Sequence, residues 1–192
     1  MDPINIIIGL NIIATFGANI GAAKKGIRDK VGVFKDKPKT YLQTLPVVFT
    51  TVTLIVLIVS LFQIGTLEYK AEYQTIRIIG LAFYLIFSWI QIWATNVLGE
   101  NYSQDIAIKK NHELVTAGPF KIVRHPQYLS QFLMDIGAAF ATLSLILAPL
   151  AVILLPFLFM RASLEDKLLE KHFGENFRNF KKKIGMLIPF IG

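Results

Sequence analysis

Cysteine is absent from the 192-residue sequence, and histidine occurs only three times, so a His-rich metal site is poorly supplied. The lack of cysteine excludes a disulfide framework, a thiolate-ligated zinc or iron–sulfur site and a thiol nucleophile. Charged residues make up only 17% of the chain, against roughly 25% in soluble proteins, while hydrophobic residues reach 54%. Because so much apolar surface must face something other than water, the composition excludes an ordinary water-soluble globule.

Three long runs contain no charged residue: 3–23, 45–65 and 78–99. A membrane core about 30 Å thick is crossed by roughly 20 apolar helical residues, so each run predicts a transmembrane helix. The first run follows Asp2 and has no basic flank, which disfavours a secretory signal peptide. We expect this run to be a permanent membrane span.

A fourth apolar stretch, 126–160, is too long for one span, because 35 helical residues would extend about 52 Å. Lys and Arg collect on the cytoplasmic side of membrane proteins, so their positions choose between one span and two. Of the twenty basic residues, seven lie in 24–44, four in 99–127 and seven in 161–192. These three groups share one side only if 126–160 is a hairpin of two spans, with its turn near 144–149.

The sequence thus predicts an all-α polytopic membrane protein with five transmembrane helices, its N-terminus outside and its C-terminus cytoplasmic. The net charge of +7 then faces the anionic lipids of the cytoplasmic leaflet, so membrane lipids rather than nucleic acid are the expected partners. Beyond residue 161, apolar residues recur at helical spacing among charged ones. This pattern predicts an amphipathic helix at the cytoplasmic face, broken at Gly174.

Polar side chains inside the predicted spans have two interpretations. Asp135 is the one charged residue there, and an unpaired charge would cost a few kcal/mol, so it should face protein or a polar cavity. Ser88, Gln91 and Thr95 lie on one face of the third span because their spacing is three and four. Both features predict either hydrogen bonds between helices or the lining of a substrate pocket.

The loop before the fourth span concentrates polar side chains, among them His112, Glu113, Arg124 and His125. Pro126 suits the first position of a helix, so Arg124 and His125 lie where free backbone amides and the positive helix end favour an anion such as a carboxylate. The simpler interpretation is a basic flank of the membrane.

Arg161 and Glu165 lie four residues apart, on one helical face, at the other end of the predicted hairpin. A surface ion pair would explain them without any function. However, both ends of the hairpin are on the same side of the membrane, so we expect this pair and the polar loop to line one site.

The run that begins at His112, HELVTAGPFKIVRHPQY, resembles the H-x-L-V-x-x-G-P-Y-x-x-x-R-H-P-x-Y signature of the isoprenylcysteine carboxyl methyltransferase family. The run RASLEDKLL, which begins at Arg161, is similar to that family's R-x-x-x-E-E-x-x-L, and F-G and I-P matches follow. The resemblance covers roughly 98–190. This chain departs from the family at Asp166, where a second Glu is usual, and at Phe120, where Tyr is common.

The resemblance implies a methyltransferase that uses S-adenosylmethionine without a Rossmann domain, and the sequence has no G-x-G-x-x-G motif. It divides the chain into three N-terminal membrane helices in 1–97 and a methyltransferase core in 98–192. Arg161 would hold the acceptor carboxylate, and Glu165 would orient that Arg or neutralise the cofactor's positive charge. The residues that the resemblance assigns to the cofactor are His112, Leu114, Val115, Gly118, His125, Pro126, Tyr128 and Glu165.

The sequence leaves the acceptor open. The resemblance favours the carboxylate of a lipophilic molecule, such as a prenylated cysteine, that enters between helices from the bilayer. Phospholipid amine methyltransferases carry similar motifs, so an aminolipid headgroup is the runner-up, and a small thiol is a further alternative. Sterol reductases share a similar hairpin, which leaves a nicotinamide-dependent membrane reductase as another class. The non-enzymatic alternative is a membrane scaffold that binds no cofactor.

Overall fold

The computed structural model describes residues 2–28 and 34–189, and the side chains of 19–28 are not among those described. The side chains of Lys24, Lys25, Arg28 and Lys30, which were predicted to lie on the cytoplasmic side, are therefore outside the described residues. Helix dominates the described residues, in agreement with the predicted all-α class. The helices are α1 (Pro3–Arg28), α2 (Leu45–Ser60), α3 (Gln74–Leu98), α4 (Pro126–Thr142), α5 (Leu147–Phe173) and α6 (Glu175–Lys181).

A helix lies at each of the five predicted spans, and residues 143–146 form the turn of the predicted hairpin between α4 and α5. Three helical stretches of the described chain are long and apolar enough to cross a membrane, counting adjoining 3₁₀ turns. They are Tyr41–Ser60, Ala71–Asn101 and Leu147–Phe173. Of the other two candidates, α4 has 17 residues, and α1 is apolar over its described side chains, Pro3–Ala18.

Helices α3 and α4 pack against each other at two glycines. A Cβ atom added to Gly80 would lie 2.5 Å from the backbone nitrogen of Ala141, and one added to Gly137 would lie 2.6 Å from that of Tyr84. No side chain fits such distances, so glycine at both positions lets the two backbones touch. This pair was not predicted from the sequence, because each helix contributes only one glycine and neither contains a G-x-x-x-G pair.

The polar face of α3 forms hydrogen bonds with neighbouring helices. Each of its three predicted residues pairs with an amide side chain of α1 or α4, and none of the three lines the cleft described below. Of the two interpretations, hydrogen bonding between helices is therefore the one that the structure supports. The pairs are Ser88–Asn11 at 3.0 Å, Gln91–Gln131 at 3.0 Å and Thr95–Gln127 at 2.8 Å.

Asp135 belongs to the same polar row. Both of its carboxylate oxygens accept from Nε2 of Gln131, at 3.0 and 2.9 Å, and Oε1 of Gln131 accepts from Gln91 on α3. Asp135 is buried and does not line the cleft. Its hydrogen bonds are thus structural, although its direct partner lies one turn earlier in α4 rather than on a neighbouring helix.

At the opposite end of the bundle from the two strands described next, Arg77 is 2% exposed and bound to Asp2. The two carboxylate oxygens of Asp2 lie 2.6 and 3.1 Å from the guanidinium, whose Nε donates to the carbonyl of Ala141. The hydrogen bond from Arg77 lowers the pKa of the Asp2 carboxyl. The same carboxylate accepts from the amides of Ile4 and Asn5, so one side chain caps α1 and links it to α3.

Two short strands join the loops at the other end. β1 (Phe34–Asp36) pairs antiparallel with β2 (Ile108–Lys109), and Asp36 forms a 2.6 Å ion pair with Lys171 near the end of α5. The connection between α1 and α2, the loop after α3 and the end of α5 therefore lie together. This arrangement agrees with the basic residues of those three segments sharing one side.

The expected amphipathic helix beyond residue 161 is not a separate surface helix. Helix α5 continues without a break from the hairpin to Phe173, and Gly174, with a φ of 55°, ends it before α6. The apolar face of this extension packs inward, where Leu168 joins a buried cluster with Ile106 and Ile108. The predicted helix and its break at Gly174 are confirmed, whereas its apolar face packs against the loop after α3 and does not form a separate membrane-surface anchor.

Candidate active site

A cleft opens where the loop after α3, the first turn of α4, the end of α5 and α6 converge. Its volume is about 820 Å³, counting the space open to solvent. Carboxylates of Asp105, Glu113, Glu165 and Asp166 lie among its lining residues. Most of its wall is apolar and includes Leu98, Ala107, Ile108, Leu114, Val115, Phe120, Leu168, Leu169, Phe177 and Phe180.

The start of α4 is bonded to the C-terminal segment. The amide of Arg124 donates to the carbonyl of Gly185 at 2.8 Å, and the amide of His125 donates to that of Met186 at 3.1 Å. These two amides are therefore not available to an anion, because the chain returns from α6 and accepts from both. The expected anion site at the helix start stays a prediction for the following amides of the first turn.

A buried ion pair connects this helix start with α5. Nε and Nη2 of Arg124 donate to Oδ2 of Asp166 at 3.2 and 2.9 Å, and both side chains are almost completely buried. Nη1 of Arg124 donates to the carbonyls of Lys181 and Ile184. Arg124 thus binds α5 and the C-terminal segment together at the cleft wall.

His125 lies between two carboxylates. Its Nε2 is 2.8 Å from Oδ1 of Asp166, and its Nδ1 is 3.3 Å from Oε2 of Glu165. Burial lowers the pKa of the His125 imidazole, but the hydrogen bonds to Asp166 and Glu165 outweigh burial and raise it overall. Because only an imidazolium donates from both ring nitrogens, this geometry suits the charged form.

Tyr128 continues the chain of contacts across the cleft wall. Its hydroxyl donates to Oε1 of Glu165 at 2.7 Å and accepts from Nε of Arg161 at 2.8 Å. The ring of Tyr128 stacks on His125, with centroids 5.6 Å apart. The predicted pairing of Arg161 with Glu165 therefore exists only through the Tyr128 hydroxyl.

Arg161 itself lies behind the cleft wall rather than in it. Its Nη1 donates to the carbonyl of Leu42 at 2.9 Å, and its Nη2 donates to the carbonyl of Gln104. The side chain is 5% exposed and is not among the lining residues. Its predicted contact with an acceptor carboxylate stays a prediction.

The residues predicted to bind the cofactor are mostly brought together. Seven of the eight line the cleft: His112, Leu114, Val115, His125, Pro126, Tyr128 and Glu165. Gly118 does not line it. A Cβ atom there would lie 2.9 Å from Cγ2 of Val97, and the φ of 59° favours glycine, so this residue lets the loop turn against α3.

His112 enters the cleft as a neutral side chain. Burial lowers the pKa of its imidazole, and the neighbouring His172 and Lys109 add to that effect. Its Nδ1 accepts from the amide of Lys109 at 3.4 Å, which agrees with an unprotonated nitrogen at that position.

Sequence reasoning did not assign two parts of this arrangement. Arg124 was predicted only as a member of the polar loop, and its ion pair with Asp166 was not predicted, although the acidic pair at Glu165 and Asp166 was the available signal. The carbonyls that hold Arg161 could not be predicted, because every residue carries one and its direction depends on the fold.

The helical fold, its apolar spans and this cleft define an integral membrane protein with a ligand site at one end of its helix bundle. The chain belongs to the phospholipid methyltransferase family, whose model matches residues 75–176. The resemblance to isoprenylcysteine carboxyl methyltransferases that the motifs indicated is also confirmed.

Two yeast relatives are each called protein-S-isoprenylcysteine O-methyltransferase. That of Saccharomyces cerevisiae is 28% identical over 131 residues, which is 65% of this chain and 53% of the relative. That of Schizosaccharomyces pombe is 30% identical over 115 residues, or 58% of this chain and 49% of the relative. The chain thus spans about half the length of the curated relatives it matches.

A bacterial relative has a different name. The methanethiol S-methyltransferase of Pseudomonas deceptionensis is 40% identical over 72 residues, which is 36% of this chain and 26% of that protein. Among solved structures, the eukaryotic intramembrane Ras methyltransferase ICMT matches with a TM-score of 0.65 at 18% identity. That match covers all of this chain and 69% of the solved one, and it concerns the fold.

Proposed function

We propose that this protein is an integral membrane methyltransferase that moves a methyl group from S-adenosylmethionine to the carboxylate of a lipophilic acceptor such as a prenylated cysteine. The observation that carries the proposal is that residues of both motifs line one cleft, with Glu165 on its wall. The names of the two yeast relatives support this choice of acceptor.

The lining of the cleft fits S-adenosylmethionine chemically. Carboxylates of Asp105, Glu113 and Glu165 suit the positive sulfonium and ammonium groups, and the apolar wall suits the adenine ring. The residues that would hold the cofactor are His112, Leu114, Val115, His125, Pro126, Tyr128 and Glu165, with Gly118 shaping the loop.

Such a site needs alignment more than acid–base chemistry. When bound, the cofactor supplies a methyl group activated by its sulfonium, and an ionised acceptor carboxylate already carries the nucleophilic charge. Holding the reacting atoms in line contributes several kcal/mol to such a reaction. The contacts of Glu165 with the Tyr128 hydroxyl and His125 would fix the cofactor side of this alignment.

Arg161 is proposed to act on the acceptor carboxylate. Its guanidinium lies one hydrogen bond behind the Tyr128 hydroxyl, so its positive charge is close to the cleft even before an acceptor enters. Direct bidentate contact would require one of its carbonyl hydrogen bonds to open as the acceptor binds.

We further propose that all five long helices span the membrane, with the N-terminus outside and the cleft and C-terminus on the cytoplasmic side. The basic segments gathered at the cleft end of the bundle support this orientation. The methyltransferase core would be residues 98–192, with residues 1–97 supplying three spans and the carbonyl of Leu42. An apolar acceptor tail would enter sideways from the bilayer.

Calorimetric titration of the detergent-solubilised protein with S-adenosylhomocysteine, and separately with NADPH, tests the proposal. We expect micromolar binding of S-adenosylhomocysteine alone, weakened by His125→Ala and unaffected by the exposed control Glu175→Gln. Binding of NADPH alone would instead identify a reductase, and binding of neither would leave a scaffold.

A thiol is the second candidate acceptor, because the methanethiol S-methyltransferase relative has the highest identity of the three relatives described. The description of the family model, phospholipid methyltransferase, also supports an aminolipid acceptor. An amine must lose a proton before attack, which would require Glu165 as a base. Transfer of labelled methyl groups to a prenylcysteine, an aminolipid and a small thiol, assayed side by side, separates the three acceptors.

A further inference from the structure

Arg161 is held by backbone carbonyls of two segments outside the long helices, and the carbonyl of Gln43 is among them, at 3.4 Å from Nη1. Leu42 lies in the 3₁₀ helix Tyr41–Gln43, and Gln104 lies in the loop after α3. Both carbonyls accept from the guanidinium, which in turn holds the Tyr128 hydroxyl against Glu165. Loop backbone is held only as firmly as the contacts around it. Whatever fixes these two segments therefore fixes the charged groups at the cleft.

The side-chain amide of Gln43 joins the two segments. Its Oε1 accepts from the amide of Ile106 at 2.8 Å, and its Nε2 donates to the carbonyl of Ile106 at 2.9 Å and to that of Pro38 at 3.1 Å. Gln43 is the neighbour of Leu42, and Ile106 is fully buried two residues after Gln104. One side chain thus uses both ends of its amide to hold the backbone on either side of Arg161.

A nearby contact between the same segments is much weaker. Lys37 and Asp105 form a 2.7 Å ion pair, but their side chains are 42% and 31% exposed. Exposed ion pairs contribute little because water and salt screen them. The hydrogen bonds of Gln43 to a buried backbone residue are therefore better suited to fix the distance between Leu42 and Gln104.

We propose that Gln43 is a positioning residue of the methyl-transfer site. It does not line the cleft. It acts by holding the Leu42 and Gln104 carbonyls around Arg161, which aligns the Tyr128 hydroxyl and the Glu165 carboxylate. This inference rests on the proposed function, and its test separates the two.

The experiment measures affinity for S-adenosylhomocysteine and methyl transfer in Gln43→Met, which keeps the side-chain length and removes all three hydrogen bonds. We expect affinity to fall about fivefold and turnover about tenfold, in line with loss of one to two net hydrogen bonds. Lys39→Met is the matched control on the same connection, because Lys39 is exposed and does not line the cleft, and it should stay within twofold of the wild type. Hydrogen exchange at the Ile106 amide should accelerate only in Gln43→Met.

A second background distinguishes positioning from general destabilisation. In Tyr128→Phe, where Arg161 is no longer joined to Glu165, Gln43→Met should cause no further loss of affinity. If Gln43→Met does not fold, Gln43→Glu replaces it, because Glu retains the acceptor for the Ile106 amide.

Three results would overturn the inference. Affinity and turnover within twofold of the wild type would show that Gln43 positions nothing, and an equal loss in the Tyr128→Phe background would show that it acts by another route. In both cases the proposed function stands. If the wild-type protein does not bind S-adenosylhomocysteine, the proposed function fails, and the role of Gln43 in that reaction fails with it.

Discussion

Arg161 and Glu165, one turn apart on α5, do not touch each other: the Tyr128 hydroxyl from α4 stands between them, 2.8 Å from Nε of Arg161 and 2.7 Å from Oε1 of Glu165. A phenol hydroxyl between a cation and an anion donates a hydrogen bond to the anion and accepts one from the cation. The ring thereby joins the two helices of the hairpin at the place where the cleft opens. The consequences can be measured by removing a single oxygen atom.

Tyr128→Phe should lower affinity for S-adenosylhomocysteine and methyl-transfer turnover by about 10- to 100-fold. The change leaves Arg161 and Glu165 each short of one hydrogen bond, and bonds to charged groups contribute about 1.5–3 kcal/mol. Tyr41→Phe is the control, because Tyr41 is exposed and its hydroxyl meets the sulfur of Met160. Calorimetry and a labelled-methyl assay give the two quantities. An effect under twofold would show that the hydroxyl does not organise the site.

The His125 imidazolium makes the site sensitive to alkaline pH. Its pKa is raised by Asp166 and Glu165 despite burial, so its contribution to stability is complete below the unfolded value of about 6.5 and is lost as pH rises through the folded value. We expect the thermal transition and cofactor affinity to be level near pH 6 and to fall at higher pH. Measurements from pH 5.5 to 9 test this expectation.

His125→Gln is the control for that profile, because glutamine keeps polar contacts without titrating. The variant should be less stable at pH 6 and should lack the alkaline decline. His112 does not confuse the result, since burial lowers its pKa and moves its titration to the acidic side. An alkaline decline that persists in His125→Gln would assign the effect to another group.

Asp166 should tolerate neither neutralisation nor lengthening. It is 1% exposed and bound to Arg124 and His125, so Asp166→Asn leaves buried cations uncompensated at a cost of about 3–5 kcal/mol. Asp166→Glu keeps the charge but adds a methylene to a closed space, at about 1–3 kcal/mol. Thermal transitions of the purified variants report both costs.

The exposed pair of Glu175 and Arg178 offers the comparison for Asp166. Their side chains are 66% and 52% exposed, so Glu175→Gln should leave the thermal transition unchanged. The family resemblance places a second Glu at position 166, and a fully stable Asp166→Glu protein would mean that the space around this carboxylate is larger than the contacts indicate.

Sequence patterns predicted the helices and the joining of the two motifs for definite physical reasons. The length of an uncharged run shows whether it can cross a membrane. Because Lys and Arg collect on one side of the membrane, the stretch 126–160 had to form a hairpin. The return of its two ends then had to bring His125 near Glu165. The contacts of Arg161 with the Leu42 and Gln104 carbonyls could not be predicted, because residue type does not determine where a backbone carbonyl points.

Gly137→Ala should be among the most destabilising single-methyl changes in the membrane part. The added Cβ atom would lie 2.6 Å from the backbone nitrogen of Tyr84, and backbone cannot move aside as a side-chain tip can. We expect a loss of about 3 kcal/mol, at the upper end of overpacking costs. Gly17→Ala is the control: nothing lies within 4 Å of its added Cβ, and alanine favours helix. Equal thermal transitions for the two variants would contradict the close approach of α3 and α4.

Asp2→Asn separates the two functions of Asp2, because asparagine still caps α1 but no longer pairs with Arg77 as a charge. We expect a loss of about 2 kcal/mol near pH 7, since the guanidinium remains 2% exposed without its counterion. The pKa of the Asp2 carboxyl is lowered by Arg77, so the extra stability of the wild type is present above the unfolded pKa of about 3.9 and disappears as pH falls through the folded pKa.

The thermal transitions of wild type and Asp2→Asn, measured at pH 7 and towards pH 3, should therefore converge at acid pH. Glu68→Gln, at an exposed carboxylate on the same end, should match the wild type throughout. A gap between wild type and Asp2→Asn that is as wide at acid pH as at neutral pH would mean that the ion pair is not its source.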